Sequence, residues 1–159
     1  MKQEKATFGA GCFWGVEAAF ADLPGVTATA VGYEGGSLEQ PSYQQVCTDQ
    51  TGHAEVVEVD FDPDQVSFEQ LLDAFFALHD PPTRNRQGPD WGTQYRSVIF
   101  CHSPEQEAQA RAKIEQLTAE GRFQPRRIVT QVEPAQSFWR AEPYHQRYLE
   151  KHGRASCHL

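Results

Sequence analysis

The sequence predicts an α+β fold, a ferredoxin-like α/β sandwich on a split β-α-β core, and three observations carry that prediction. Short β-branched runs and amphipathic helical stretches follow one another close to the order β-α-β-β-α-β, with additions. Two of the helical stretches open on capping signals, Ser67 with Gln70 and Ser103 followed by Pro104. No repeat, linker or low-complexity tract divides the chain, so its 159 residues read as a single catalytic-sized domain.

The elements follow in order. A first strand is expected over Ala6–Ala10, ending at Gly11. Trp14 to Leu23 reads as a helix because Val16, Ala19, Phe20 and Leu23 recur at i, i+3, i+4 and i+7, and Pro24-Gly25 stops it. Val26–Tyr33 is rich in small and β-branched residues and reads as a strand closed by Gly35-Gly36. Ser37 to Gly52 has weak periodicity and reads as a long, partly ordered loop, a kind of segment that is usually functional or flexible. Ala54–Phe61 alternates as a strand. The helix opened by Ser67 carries the stripe Phe68, Leu71, Leu72, Phe75 and Leu78, and Asp80-Pro81-Pro82 ends it. A polar loop then precedes a strand at Tyr95–Cys101. The helix after Ser103 turns Ala110, Ile114 and Leu117 inward and stops at Gly121. Arg127–Val132 reads as a last strand and Tyr144–Lys151 as a short final helix.

Composition narrows the function classes. With 39% hydrophobic and 23% charged residues the chain is neither a disordered nor a collagen-like sequence. No apolar run approaches the roughly 18 residues of a membrane span, and the first residues lead into a mixed segment in place of a signal core, so a cytoplasmic location is expected. Fourteen basic against 22 acidic residues give a net charge of −8, which weighs against nucleic acid and anionic membranes as partners. The four cysteines, Cys12, Cys47, Cys101 and Cys157, form no Cys-x-x-Cys pair. Neither a structural zinc nor a thioredoxin-type dithiol is therefore expected.

The most informative segment is Gly11-Cys12-Phe13-Trp14-Gly15. Cys12 falls where a strand meets the first turn of a helix, whose open amides and positive dipole end stabilise a thiolate. The flanking glycines permit a sharp turn and close approach of a substrate. The same pattern fits a packed cysteine in a tight turn, and Phe13 and Trp14 fit either a core or the wall of an apolar pocket. In the strand that follows Thr51-Gly52-His53, Glu55 shares a face with Val57, Val59 and Phe61. A carboxyl at the end of an apolar stripe is desolvated and favours its protonated form, as a general acid requires. At a frayed edge it would instead be solvated. Tyr43 and Tyr95 are possible phenolic donors, Cys101 reads as packing, and Cys47 is undecided. Cys157, three residues from the end of the sequence, is either an idle thiol or one that travels with its tail, residues 152–159.

These segments resemble the A-type peptide methionine sulfoxide reductases. The likeness is carried by Gly11-Cys12-Phe13-Trp14-Gly15, by Tyr43 with Val46-Cys47, and by Thr51-Gly52-His53-Ala54-Glu55. Asp62-Pro63, His79-Asp80-Pro81 and Gly92-Thr93-Gln94-Tyr95-Arg96-Ser97 continue it in order along nearly the whole chain. The resemblance implies that Cys12 attacks the sulfur of methionine sulfoxide while Phe13 and Trp14 hold its methyl group. It implies that protonated Glu55 protonates the oxygen with Tyr43 and Tyr95 as supporting donors, and that Asp90 is a site carboxylate acting through water. Cys12 would become a sulfenic acid, condense with Cys157 to a disulfide, and be recycled by thioredoxin or, in the test tube, dithiothreitol. It further implies action on the S epimer, free or in proteins, without metal or organic cofactor.

Two departures from the family pattern stand out. The tail has Ala155-Ser156 before a single Cys157, with Cys47 as a second candidate partner. Asp49 stands where glycine is common, which implies an altered loop around Tyr43. Two other classes remain open on the residues alone: a cysteine hydrolase or acyltransferase with His53 as base to Cys12, and a ligand-binding module whose cysteines only pack. A monomer is the expectation for a domain of this size.

Overall fold

From Ala6 to Ala10 the chain carries no charged side chain, and the computed structural model, which describes residues 3–87 and 90–149, buries all five positions at the centre of a sheet. Along the chain the elements are β1 (Glu4–Ala10), α1 (Phe13–Ala21), β2 (Val26–Glu34), α2 (Tyr43–Val46), β3 (Ala54–Phe61) and α3 (Phe68–Leu78). The short strands β4 (Arg86–Gln87) and β5 (Asp90–Trp91) form a ladder of their own, and β6 (Ser97–Cys101), α4 (Pro104–Ala119), β7 (Gln131–Pro134) and β8 (Trp139–Arg140) follow. Single 3₁₀ turns lie at Thr93–Tyr95 and Pro143–His145.

Among the described residues the main sheet has six strands in the order β7-β6-β1-β3-β2-β8. The inner order β6-β1-β3-β2, antiparallel throughout, is the expected split β-α-β core. β7 joins parallel to β6, and β8 antiparallel to β2. All the long helices cover one face. Phe8 of β1 stacks on Phe20 of α1 at 4.9 Å and on Phe75 of α3 at 5.2 Å, and Ala110 and Leu117 of α4 belong to the same core. The opposite face holds Ala54, Val56, Val98 and Phe100 under Ala135 and Phe138.

The helices start where their caps require. Ser67 and Gln70 form the expected reciprocal capping box, and Ser103 accepts from the Gln106 N–H with Pro104 in the first helical turn. Four expectations are corrected. The segment 37–52 contains the helix α2, opened by a second capping box of Ser42 with Gln45. Tyr95 ends a 3₁₀ turn, and its strand begins at Ser97. The last parallel strand is Gln131–Pro134 and not Arg127–Val132, because its ladder runs from Val98 opposite Gln131 to Cys101 opposite Pro134. The helix expected from Tyr144 starts later: Pro143–His145 is a 3₁₀ turn and Tyr148 and Leu149 are helical, with the Gln146 side chain between them accepting from Val31 N–H at 2.8 Å and donating to the Val31 and Ala141 carbonyls. Lys151 lies outside the described residues.

Candidate active site

Leaving β1, the chain turns at Gly11 with a φ of 101°, a left-handed angle that glycine adopts without penalty. That turn sets Cys12 at the N-cap of α1, half-buried, as expected from the strand–helix junction. The next residue decides the geometry of the site. Phe13 N–H donates to Glu55 Oε1 at 3.2 Å, so the carboxyl of β3 docks on the same helix end that carries the thiol. Glu55 is 1% exposed, which places it inside the apolar stripe and not at a solvated edge.

Both phenols converge on this carboxyl. Tyr43 opens α2 and its ring stacks near Phe13 at 6.3 Å. Burial first, then the neighbouring Glu55 carboxyl, which disfavours a phenolate beside it, pushes the ionisation of Tyr43 far above the ordinary phenol value. For Tyr95 the causes are burial, then Glu55, Cys47, Asp90 and Cys12, again upward. Both hydroxyls therefore stay protonated and can donate. The neighbours of Tyr95 also show that the structure gathers Cys12, Glu55 and Asp90 into one place. Asp90 reaches it from the β4–β5 ladder, opposite Gln87.

The aromatic wall extends beyond Phe13 and Trp14. Trp14 Nε1 donates to Nδ1 of His145 at 2.9 Å, and Trp14 stacks on Tyr148 with ring centres 3.8 Å apart. His145 is 1% exposed and lies 4.5 Å from the Tyr43 ring and 5.1 Å from that of Phe13. Burial lowers its proton affinity against the opposing pull of Glu142, so the imidazole is neutral and accepts through Nδ1. Glu142 in turn accepts from the Tyr33 hydroxyl and the Tyr43 N–H, both at 3.0 Å. Burial pushes the Glu142 carboxyl up, but these bonds and its own backbone N–H outweigh burial and hold it below the usual range. Sequence reading missed Tyr33, Glu142, His145 and Tyr148. For Glu142 and His145 the sequence signal is the dense polar and aromatic run Glu142-Pro143-Tyr144-His145-Gln146, while Tyr33 and Tyr148 fall in segments whose pattern reads as strand and helix.

The remaining candidates separate cleanly. His53 is 1% exposed and accepts at Nδ1 from Gly36 N–H at 3.0 Å, so Nε2 carries the proton and donates to the Leu38 carbonyl at 2.6 Å. With both nitrogens bonded to backbone it closes the neck of the 37–52 loop, and the reading of His53 as a base to Cys12 falls. Gly36 is required there, since a Cβ would lie 2.4 Å from His53 N. Cys47 is exposed at the C-cap of α2 and hydrogen-bonds the Tyr43 side chain; burial still pushes its thiol up. Cys101 is 6% exposed, with its thiol pushed up to about 11 by burial, and packs as expected. Asp49 takes a φ of 64°, the left-handed conformation a glycine would supply. Cys157 lies outside the described residues, and among those residues no cluster of metal-ligating side chains occurs.

Residues 4–159 match the family model for peptide methionine sulfoxide reductase. The chain belongs to that family. It is an oxidoreductase that reduces methionine sulfoxide. The peptide methionine sulfoxide reductase MsrA of Acidobacterium capsulatum is 72% identical over 155 residues, 98% of this chain and 99% of that protein. Among solved structures, reduced Mxr1 from Saccharomyces cerevisiae superposes with a TM-score of 0.89 at 37% identity, covering 99% of this chain and 90% of that one. Mxr1 has also been solved in complex with Trx2, with a TM-score of 0.62 at 27% identity over 92% of this chain and 85% of that one. Among the described residues, no helix of this reductase is long and apolar enough to cross a membrane.

Proposed function

We propose that the reductase activity is carried by Cys12 as nucleophile and Glu55 as acid, acting on the S epimer of methionine sulfoxide, free or within proteins. The hydrogen bond from Phe13 N–H to Glu55 Oε1 carries this reading, because it joins the helix end under the thiol to a buried carboxyl. The chemistry explains the need for both. A sulfoxide oxygen is a poor leaving group until protonated, and two full negative charges in one pocket would repel. A thiolate at a helix N-terminus beside a neutral carboxylic acid avoids that conflict, since desolvation penalises the charged form of a carboxyl.

Thiolate, sulfoxide and one proton become a Cys12 sulfenic acid and methionine, the oxygen passing from one sulfur to the other. Glu55 supplies the proton, Tyr43 and Tyr95 donate to the same oxygen, and Asp90 acts through water. Phe13 and Trp14 enclose the methyl group, and Gly11 leaves room for close approach. The Cys157 thiol then displaces the sulfenic oxygen as water, giving a disulfide that a dithiol reduces. Thioredoxin is that dithiol by analogy with the complex of Mxr1 with Trx2. No metal or organic group enters any of these steps, and the setting is the cytoplasm.

Purified enzyme without reductant, mixed with each diastereomer of a methionine sulfoxide peptide, tests the reading. The S epimer should yield one methionine per chain and a Cys12–Cys157 disulfide on non-reducing peptide mapping, and the R epimer none. A stable acyl-enzyme with an ester substrate, or full recycling by thioredoxin in Cys157→Ser, would overturn it.

A further inference from the structure

The two phenols that face Glu55 come from loops far apart in sequence. Tyr43 stands on α2, and Asp49 follows α2 closely, its N–H donating to the Val46 carbonyl at 3.0 Å. Tyr95 ends the 3₁₀ turn Thr93–Tyr95, whose first residue is fixed from the other side by Arg96 Nη1 donating to the Thr93 carbonyl at 2.9 Å. Between them, one carboxylate oxygen accepts two hydrogen bonds from a single residue. Asp49 Oδ1 accepts the Thr93 N–H at 2.8 Å and also the Thr93 hydroxyl.

We propose that Asp49 is a positioning residue that straps the Tyr43 loop to the Tyr95 turn and so fixes the separation of the two phenols. This deepens the proposed function and rests on the reading of both phenols as donors to the sulfoxide oxygen. Two features set the strap apart from an ordinary surface contact. Asp49 holds a φ of 64°, a backbone state that an L residue other than asparagine, aspartate or histidine rarely enters. Glycine would reach that angle freely but has no acceptor, so the position combines a glycine-like turn with a carboxylate. Second, the acceptor takes backbone and side-chain hydrogens of the same residue, which fixes direction as well as distance, and an ionised acceptor makes stronger bonds than a neutral one. Donors that must meet one oxygen tolerate misplacement of only a fraction of an ångström, so a tie between their loops acts on rate more than on substrate affinity.

The test is single-turnover methionine release by the full chain across a range of S-sulfoxide concentrations. It compares wild type with Asp49→Ala, Asp49→Gly, Asp49→Asn, Tyr43→Phe and Tyr95→Phe. Asp49→Ala and Asp49→Gly should lower the saturating rate about 3- to 10-fold while leaving the half-saturating concentration within about twofold. Asparagine tolerates the left-handed backbone and its amide oxygen accepts the same hydrogens, so Asp49→Asn should return to within about twofold of wild type. In the Tyr95→Phe background, Asp49→Gly should cost less than it does alone, because the donor being positioned is gone. Asp49→Gly relieves the backbone and so separates the strap from folding; thermal unfolding of each variant verifies this. A saturating rate unchanged in Asp49→Gly while Tyr95→Phe slows the enzyme overturns the strap alone. Unchanged rates in both phenylalanine variants overturn the donor reading, and the strap falls with it.

Discussion

Glu34 and Glu55 lie at the same end of one strand pair and are each 1% exposed, yet only Glu55 is proposed as the acid. In the β2–β3 ladder Tyr33 lies opposite Glu55 and Glu34 opposite Ala54, so the carboxyls are close neighbours that point to opposite faces of the sheet. Both accept a backbone N–H, Glu55 from Phe13 at 3.2 Å and Glu34 from Gln136 at 2.9 Å. Burial pushes Glu34 up to about 7 against the lowering effect of the Gln136 bond. Burial and a backbone hydrogen bond at a strand end are thus common to both carboxyls and do not by themselves single out the proposed acid. What differs is the company: Glu55 shares its space with a helix-end thiol and two protonated phenols, while Glu34 faces the connection between β7 and β8.

The largest effect that separates the two is on turnover. Glu55→Ala should slow single-turnover methionine release by about 10²- to 10⁴-fold, the usual range for loss of a general acid. Glu55→Gln should keep part of the rate through its amide donor. Glu34→Gln should stay within about twofold of wild type. Rapid-quench measurement of methionine at saturating S-sulfoxide checks all three, and equal losses in the Glu34 and Glu55 variants would erase the distinction.

The second effect is on stability, and its sign follows from the raised Glu34 value. From the ordinary 4.5 up to about 7 the folded chain keeps this proton while the unfolded chain has lost it. Stability from this group is therefore fully present below pH 4.5, falls as pH rises toward 7, and is flat beyond. The integrated loss is at most about 3 kcal/mol. Urea unfolding at several pH values should show this slope in wild type and its absence in Glu34→Gln; the same slope in both would assign it to other groups.

Much of this comparison was legible in the sequence because strand alternation is local. The period of β3 alone put Glu55 on the face of Val57, Val59 and Phe61. The strand–helix junction at Cys12 and the capping boxes were legible for the same reason. α2 was missed although Ser42 and Gln45 repeat the signature seen at Ser67 and Gln70, because a four-residue helix leaves no periodicity to read. The β4, β5 and β8 ladders are two residues each and carry no pattern at all. His145 could not be found locally: its place is fixed by Trp14, 131 positions away in the chain. The last strand was shifted because register in β7 comes from parallel pairing with β6, which no single segment encodes.

The smallest effect sharpens the comparison with a third carboxyl. Glu17 of α1 is 2% exposed, and both of its oxygens accept hydrogens: Oε2 from the Thr29 hydroxyl at 2.8 Å and Oε1 from Arg147 N–H at 2.7 Å. If burial and hydrogen bonding made a carboxyl catalytic, Glu17 would qualify better than Glu34. It instead ties α1 to β2 and to the segment carrying His145, so its bonds should count toward folding. Thr29→Val removes one donor while keeping the β-branched shape, and should cost about 1 kcal/mol in urea unfolding with the single-turnover rate unchanged. A rate loss approaching that of Glu55→Ala, without a matching loss of stability, would mean that Glu17 acts on the site through α1. Company around the carboxyl would then no longer explain why Glu55 stands alone.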